Sequence, residues 1–302
     1  MLPQFLVIGA MKAGSTTIYE DLRAHPQIFL IEKELDSFNS PSISTPTGRA
    51  RYEQLFAKAA PGQLRGDVSA TYAKLPETDG LAERAATVLG SDFQVVYSVR
   101  NPVDRVVSQH HHEYMRGKIT QASIDDAVRE VPRLISYSKY AYQLRPFVDA
   151  VGPENVHLIR FEDYTADRAT GLGRLLDFLG VDRIVDGADL DRAHNVSEGL
   201  HIGTGRIWQL TRSAAYRRAL RPLMPERVRK LGRRALLPTA PPRPAPPSPA
   251  TVDRIIDAVA SDLDALRSSS VAVPELWDLE ATRQRYLTIA ARSDEQVLPR
   301  SD

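Results

Sequence analysis

The 302-residue chain contains no cysteine. That single absence excludes disulfides, thiol nucleophiles and cysteine-ligated zinc together. Net charge is nearly absent too: 39 Lys and Arg against 38 Asp and Glu leave +1, so a uniformly basic surface for nucleic acid is not expected. No apolar run approaches the ~20 residues of a membrane-spanning helix, and the N-terminus lacks the basic segment of a secretory signal. Residence in the cytoplasm is the resulting expectation. A 42% hydrophobic content is enough for a substantial core, most simply one α/β domain with a helical appendage.

What is present begins with Phe5-Leu6-Val7-Ile8-Gly9-Ala10-Met11-Lys12-Ala13-Gly14-Ser15-Thr16-Thr17. An apolar strand runs into a tight, hydroxyl-rich turn and then a helix, the arrangement that offers backbone N–H groups to a phosphate. A nucleotide triphosphatase would place Lys and a magnesium-holding hydroxyl after the second glycine. Here Ser15 occupies the lysine position, and the lysine has moved inside the loop to Lys12. A charge there lies beside the bond next to the first phosphate, which suits a shorter donor and dispenses with a bound metal. Further strand signals at 64–69, 93–99 and 155–160 alternate with helical patterns at 15–24, 80–89, 104–116 and 138–150. Such alternation predicts a phosphate-loop-like parallel sheet with helices on both faces.

A second motif follows the strand at 93–99: Arg100-Asn101-Pro102-Val103-Asp104-Arg105-Val106-Val107-Ser108. Pro102 suits the first helical turn. Arg100 at the carboxyl end of the strand and Ser108 further along the helix can face the crevice where open α/β sheets bind ligands. An arginine with a hydroxyl forms a fork for a second, separate phosphate. Together the two motifs resemble the paired signatures of sulfotransferases that use 3′-phosphoadenosine 5′-phosphosulfate (PAPS), of the glycan and heparan sulfate type. The resemblance extends weakly through 140–144, 158–164 and 178–180. It implies that Lys12, Ala13, Gly14, Ser15, Thr16 and Thr17 bind the 5′-phosphosulfate and that Arg100 and Ser108 grip the 3′-phosphate. It also implies that Arg206, in Gly203-Thr204-Gly205-Arg206, closes over that phosphate.

Transfer to a hydroxyl requires in-line attack, charge neutralisation on the leaving phosphate and a proton acceptor. In the resembled enzymes a glutamate precedes a His-Phe-Phe-like segment and serves as base. In Glu32-Lys33-Glu34-Leu35-Asp36-Ser37-Phe38, Glu34 maps to that glutamate while Asp36 and Ser37 depart from the pattern. Asp36 therefore stands as the rival base. Lys12 is the second catalytic candidate, neutralising charge on the leaving oxygen. His110-His111-His112 point in different directions on a helix and cannot converge on one metal ion. Asp67 falls in a segment that lines the active site of similar enzymes. His194 and His201 read as surface residues, and 36–50, rich in Ser, Pro and Thr, reads as a loop near the substrate entrance.

Residues 206–234 carry ten Lys or Arg against the single acid Glu226, interleaved with Trp208 and Tyr216. They fit either an anionic acceptor or an anionic membrane surface. Seven prolines in 238–249 form a stiff linker. A helix at 250–267 follows, its Val252, Ile255, Ile256, Val259, Leu263 and Leu266 in one stripe. The chain thus divides into a core at 1–200, a flap and linker at 201–249 and a C-terminal helical segment at 250–302. A sugar, glycolipid or other small-molecule hydroxyl is the expected acceptor. A phosphate-loop kinase and a catalytically silent nucleotide binder on the same scaffold remain as alternatives.

Overall fold

The computed structural model describes residues 1–183 and 244–297. Its centre is a five-stranded, wholly parallel sheet: β1 (Phe5–Gly9), β2 (Ile28–Leu30), β3 (Leu64–Val68), β4 (Gln94–Val99) and β5 (Val156–Arg160), in the order β2-β3-β1-β4-β5. All five residues of β1 are buried, as a central strand covered on both faces must be. Successive side chains leave opposite faces. Phe5 and Val7 pack with Ile18 and Leu22 of α1 (Ser15–Ala24) and with Leu172, Leu175 and Leu176 of a later helix at 168–179. Leu6 and Ile8 pack on the other face with α3 (Leu81–Leu89) and with Tyr140, Leu144 and Phe147 of α7 (Tyr140–Val151). Each such large apolar side chain contributes roughly 1.5–3 kcal/mol.

Between the sheet's edge and α3 lie two 3₁₀ turns, Ser37–Asn39 and Pro41–Ser44, and helix α2 (Pro46–Leu55). The loop reading of 36–50 is therefore corrected from residue 46 onward. Thr45 accepts a hydrogen bond from the Gly48 N–H (3.1 Å) and Pro46 fills the first helical turn, a Thr-Pro start that a Ser/Pro/Thr-rich composition conceals. The remaining helices of the first unit are α4 (Pro102–Met115), α5 (Ile124–Glu130), α6 (Arg133–Ser136), α8 (Phe161–Ala166) and α9 (Arg168–Leu179).

Two further helices lie beyond the described part of the linker: α10 (Pro249–Arg267) and α11 (Leu279–Val297). Ser248 caps α10 by accepting from the Thr251 N–H at 3.3 Å. One end of the α10 stripe, Val252, Ile255 and Ile256, packs with Val103, Val106 and Leu134. The other end, Val259, Leu263 and Leu266, joins the main core. The chain leaves β1 toward β2 and β3 on one side and later places β4 on the other. The topological switch point, where ligands bind in such sheets, therefore lies between the carboxyl ends of β1 and β4. Residues 7–17 and 99–108 meet there.

Candidate active site

The turn after β1 is closed by its own atoms and by β4. Ala10 N–H donates to the Ser98 carbonyl (2.6 Å), Ser98 Oγ donates to the Ala13 carbonyl (2.6 Å), and Ala13 N–H donates to the Ala10 carbonyl (3.1 Å). Ala13 therefore shapes the loop, its N–H already engaged. Gly14 adopts the left-handed conformation (φ 84°) and starts α1 without any side-chain cap. The first-turn N–H groups of Ser15, Thr16 and Thr17 thus have no intrahelical acceptor, and they carry the positive end of the helix dipole. A Cβ at Gly14 would lie 2.5 Å from the Phe161 ring, so glycine is required there by conformation and by space.

Arg100 leaves the end of β4 and reaches this loop: its Nη1 donates to the Lys12 carbonyl at 3.3 Å and its guanidinium lies 4.9 Å from the centre of the Phe161 ring. Among the described residues no carboxylate forms an ion pair with Arg100 or with Lys12. Tyr140 OH donates to the Arg100 carbonyl at 2.5 Å, fixing the backbone from which the side chain departs. Asn101 then caps α4, its Oδ1 accepting from the N–H groups of Val103 (3.1 Å) and Asp104 (3.4 Å). Ser108 lies on the same helix, half-buried.

Arg105 and Phe161 were not singled out from sequence. Arg105 is fully buried. It donates to the Met11 carbonyl of the phosphate loop (3.4 Å), to Ser138 Oγ (2.5 Å), to Gln109 Oε1 (2.7 Å) and to the Leu134 carbonyl. Gln109 passes the contact to Glu113 (2.9 Å), which Arg133 neutralises at 2.7 Å. The arginine inside the second motif thus braces the first one. Only its fixed place in the motif could have marked it.

Among the described residues, Lys12 (φ 71°), Glu34 (φ 62°) and Asp36 (φ 56°) are the non-glycine residues with left-handed backbone, a conformation that costs of order 1–3 kcal/mol and concentrates at functional sites. Glu34 N–H donates to the Val68 carbonyl (3.0 Å), and its half-exposed carboxylate accepts from Lys33 Nζ at 2.7 Å. Burial raises the Glu34 pKa, but the Lys33 bond and the charges of Lys33, Lys74 and Arg116 outweigh it and hold the carboxyl below its usual range. Asp36 is engaged differently. Its Oδ1 accepts from Ser69 Oγ (2.6 Å) and Thr71 Oγ1 (2.7 Å), so this carboxylate ties the turn to the end of β3. Asp67 lies behind it, fully buried, with Oδ2 accepting from Tyr52 OH (2.8 Å) and Tyr72 OH (2.7 Å). Its other oxygen has no hydrogen-bond partner among the described residues. Burial pushes the Asp67 carboxyl up to about 6 against the opposing tyrosine bonds.

The loop lysine is electrostatically exposed to its own kind. Burial, then the charges of Arg100, Arg116 and Lys33, push the Lys12 pKa down, with Glu34 in partial opposition. His112 is lowered to about 4 by burial and by Lys12, Arg116 and Lys118, so it is a neutral imidazole beside the loop. His110 is turned elsewhere, its Nε2 at 2.9 Å from the Gln121 carbonyl. Among the described residues no group of three or more His, Asp or Glu side chains is placed to hold a metal ion. Arg206, Gly203-Thr204-Gly205, His194, His201, the basic stretch 206–234 and most of the flap and linker at 201–249 lie outside the described residues.

Two cationic corners meet at the switch point, one from each motif: Arg100, and Lys12 with the uncapped start of α1. The sulfotransferase domain model matches residues 2–192. The chain belongs to the sulfotransferase family. Among similar proteins, human heparan sulfate glucosamine 3-O-sulfotransferase 3B1 is 26% identical over 196 residues, covering 61% of this chain and 47% of the relative. The membrane-associated sulfotransferase kil1 of Dictyostelium discoideum is 33% identical over 111 residues, 36% of this chain and 23% of the relative. The chain spans about half the length of the heparan sulfate relatives it matches. A sulfotransferase structure from Alicyclobacillus acidocaldarius superposes with a TM-score of 0.55 at 24% identity, covering 65% of this chain and 88% of that one; this likeness bears on the fold. Among the described residues of this sulfotransferase-family chain, no helix is long and apolar enough to cross a membrane.

Proposed function

We propose that the protein transfers the sulfuryl group of PAPS to an acceptor hydroxyl. The observation that carries this reading is the meeting of Arg100 with the loop that leads through Lys12 into the bare start of α1: two cationic corners, joined through the Lys12 carbonyl and neither paired with a carboxylate among the described residues. Two cationic corners held side by side suit a ligand with two distinct phosphate groups. The donor supplies the sulfuryl group and a bisphosphate leaving group.

The residues then divide the work. The N–H groups of Ser15, Thr16 and Thr17 and the two threonine hydroxyls hold the 5′-phosphate. Lys12 stabilises negative charge on the oxygen from which sulfur departs, and a lysine already crowded by cations gains from an incoming anion. Arg100, stacked on Phe161, and Ser108 take the 3′-phosphate, with Arg206 completing that corner. Glu34 receives the hydroxyl proton as the acceptor oxygen bonds to sulfur and the sulfur–oxygen bond to the phosphate breaks. Asp36, occupied by two hydroxyls, is the poorer base.

The acceptor is a glycan, glycolipid or small-molecule hydroxyl. Lys74, Arg116 and Lys118 have no ion-pair partner among the described residues, and Lys74 lies within electrostatic reach of Lys118, Asp36 and Glu34. That cationic rim favours an acceptor with negative charge of its own, consistent with the heparan sulfate named for the relatives. The basic stretch 206–234 belongs to the same acceptor side in this reading, whether it meets the acceptor directly or an anionic membrane carrying it. The test is incubation of the purified protein with sulfur-labelled PAPS and a panel of neutral and anionic hydroxyl acceptors in chelator. Label transferred to an acceptor supports the reading. Binding of the donor with no transfer to any acceptor would favour a silent binder.

A further inference from the structure

The helical pair α10 and α11 lies beyond the family-matched residues 2–192, yet it touches the 3′-phosphate corner at several points. Thr282 of α11 is the first. Its hydroxyl donates to the Asp278 carbonyl (2.9 Å), which leaves its oxygen free to accept from Asn101 Nδ2 at 2.8 Å. An asparagine amide can present either oxygen or nitrogen to a helix start. With Nδ2 committed to Thr282, Oδ1 must face the N–H groups of Val103 and Asp104, and the α4 cap is locked in its productive orientation.

The second point is Asp104. A carboxylate in the first turn of α4 suits the helix dipole but repels an anion bound at the same helix start. Both of its oxygens are taken by α11: Tyr286 OH donates to Oδ1 (2.6 Å) and Arg285 Nη2 to Oδ2 (2.8 Å). The third is Tyr140, whose hydroxyl holds the Arg100 carbonyl. Asp262 of α10 accepts from the Ala141 and Tyr142 N–H groups (2.9 Å each) at the start of that helix, and Trp277 packs against the Tyr140 ring at 5.9 Å.

We infer that α10 and α11 form a working part of the donor site, with Thr282 and Tyr286 as positioning residues that fix Asn101 and Asp104 and thereby aim Arg100 at the 3′-phosphate. The inference rests on the proposed reading of Arg100 but concerns residues outside the family signature. It also makes the coupling reciprocal: a ligand that engages Arg100 must stabilise α11.

The experiment compares adenosine 3′,5′-bisphosphate with adenosine 5′-monophosphate in chelator, by calorimetry on wild type, Thr282→Val, Tyr286→Phe and Thr282→Ser. Each of the first two substitutions should weaken the bisphosphate by about tenfold, the equivalent of about 1.4 kcal/mol, while leaving the monophosphate within about twofold; Thr282→Ser should restore wild-type binding. Equal losses for both ligands, or none, would overturn the inference and leave α11 a purely structural element. Hydrogen exchange on wild type gives a readout that needs no variant: the bisphosphate should protect α11 amides more than the monophosphate does, and equal protection would count against the coupling. A wild type that does not prefer the bisphosphate would remove the Arg100 reading itself. A preference retained through both variants would remove only the role of α11.

Discussion

In the proposed reading, the donor side and the acceptor side of the site are built differently. The donor side is locked from behind: Ser98, Arg105 and Tyr140 hold main-chain atoms of the loop or of Arg100, and Asn101 holds the first-turn N–H groups of α4. On the acceptor side, Glu34 is half exposed and held through its side chain only by the adjacent Lys33, while Lys74, Arg116 and Lys118 stand without carboxylate partners among the described residues. A donor of fixed shape rewards a pre-set cradle. An acceptor surface is left to charge and to side chains that can adjust, which is where members of one fold differ in what they accept.

If that contrast holds, acceptor-side changes should alter turnover without altering stability, and donor-side changes should lower stability and donor binding together. The largest effect is expected at Glu34→Gln, which should lower turnover by about 10²–10⁴-fold with donor affinity and melting temperature unchanged, read from initial rates and calorimetry. If Asp36→Asn carried that loss instead, the base assignment would shift to the turn. Next comes Arg105→Met. Removing one member of a buried, hydrogen-bonded charge network costs about 3–5 kcal/mol, so urea unfolding should show a loss of that order together with loss of donor binding. A mild effect on both would mean that the phosphate loop holds its shape unaided.

Asp67→Asn probes the boundary between the two sides through pH. A carboxyl raised from 3.8 to about 6 in the folded protein binds its proton more tightly folded than unfolded. Its contribution is therefore fully present below pH 3.8 and is lost as pH rises through 6, by up to about 3 kcal/mol. Wild type should accordingly gain stability relative to Asp67→Asn as pH falls from 7 to 4, measured by urea denaturation at each pH. A constant difference would place the proton elsewhere. The smallest effect is expected at Lys33→Met, which removes the partner that lowers the Glu34 pKa. The acid limb of kcat should move upward by less than about one pH unit, because the pair is partly exposed. A downward move would exclude Glu34 as the titrating base.

The same contrast explains what could be read from sequence. The phosphate loop and Arg100 are legible because the chemistry needs a strand, a turn and a helix start in consecutive residues, and β1 and β4 are apolar enough to mark as central strands. Arg105, Phe161 and Thr282 are not legible in that way. Their partners lie far along the chain: Met11 for Arg105, Gly14 for Phe161 and Asn101 for Thr282. Helix α2 escaped because its start shares its residue types with a loop, although the same Ser/Thr-Pro signal marks α10. Glu34 and Asp36 could not be separated by spacing alone, since what distinguishes them is the hydroxyls of Ser69 and Thr71, brought from just beyond β3 to Asp36.

The central claim is a pre-set, metal-independent site for two phosphates. It is tested most directly by titrating wild-type protein with adenosine 3′,5′-bisphosphate in excess chelator, and with adenosine 5′-monophosphate under the same conditions. The account predicts saturable binding of the bisphosphate at least about tenfold tighter than the monophosphate, each charged hydrogen bond to the second phosphate contributing roughly 1.5–3 kcal/mol. Binding that appears only after magnesium is added, or equal affinity for the two ligands, would contradict it.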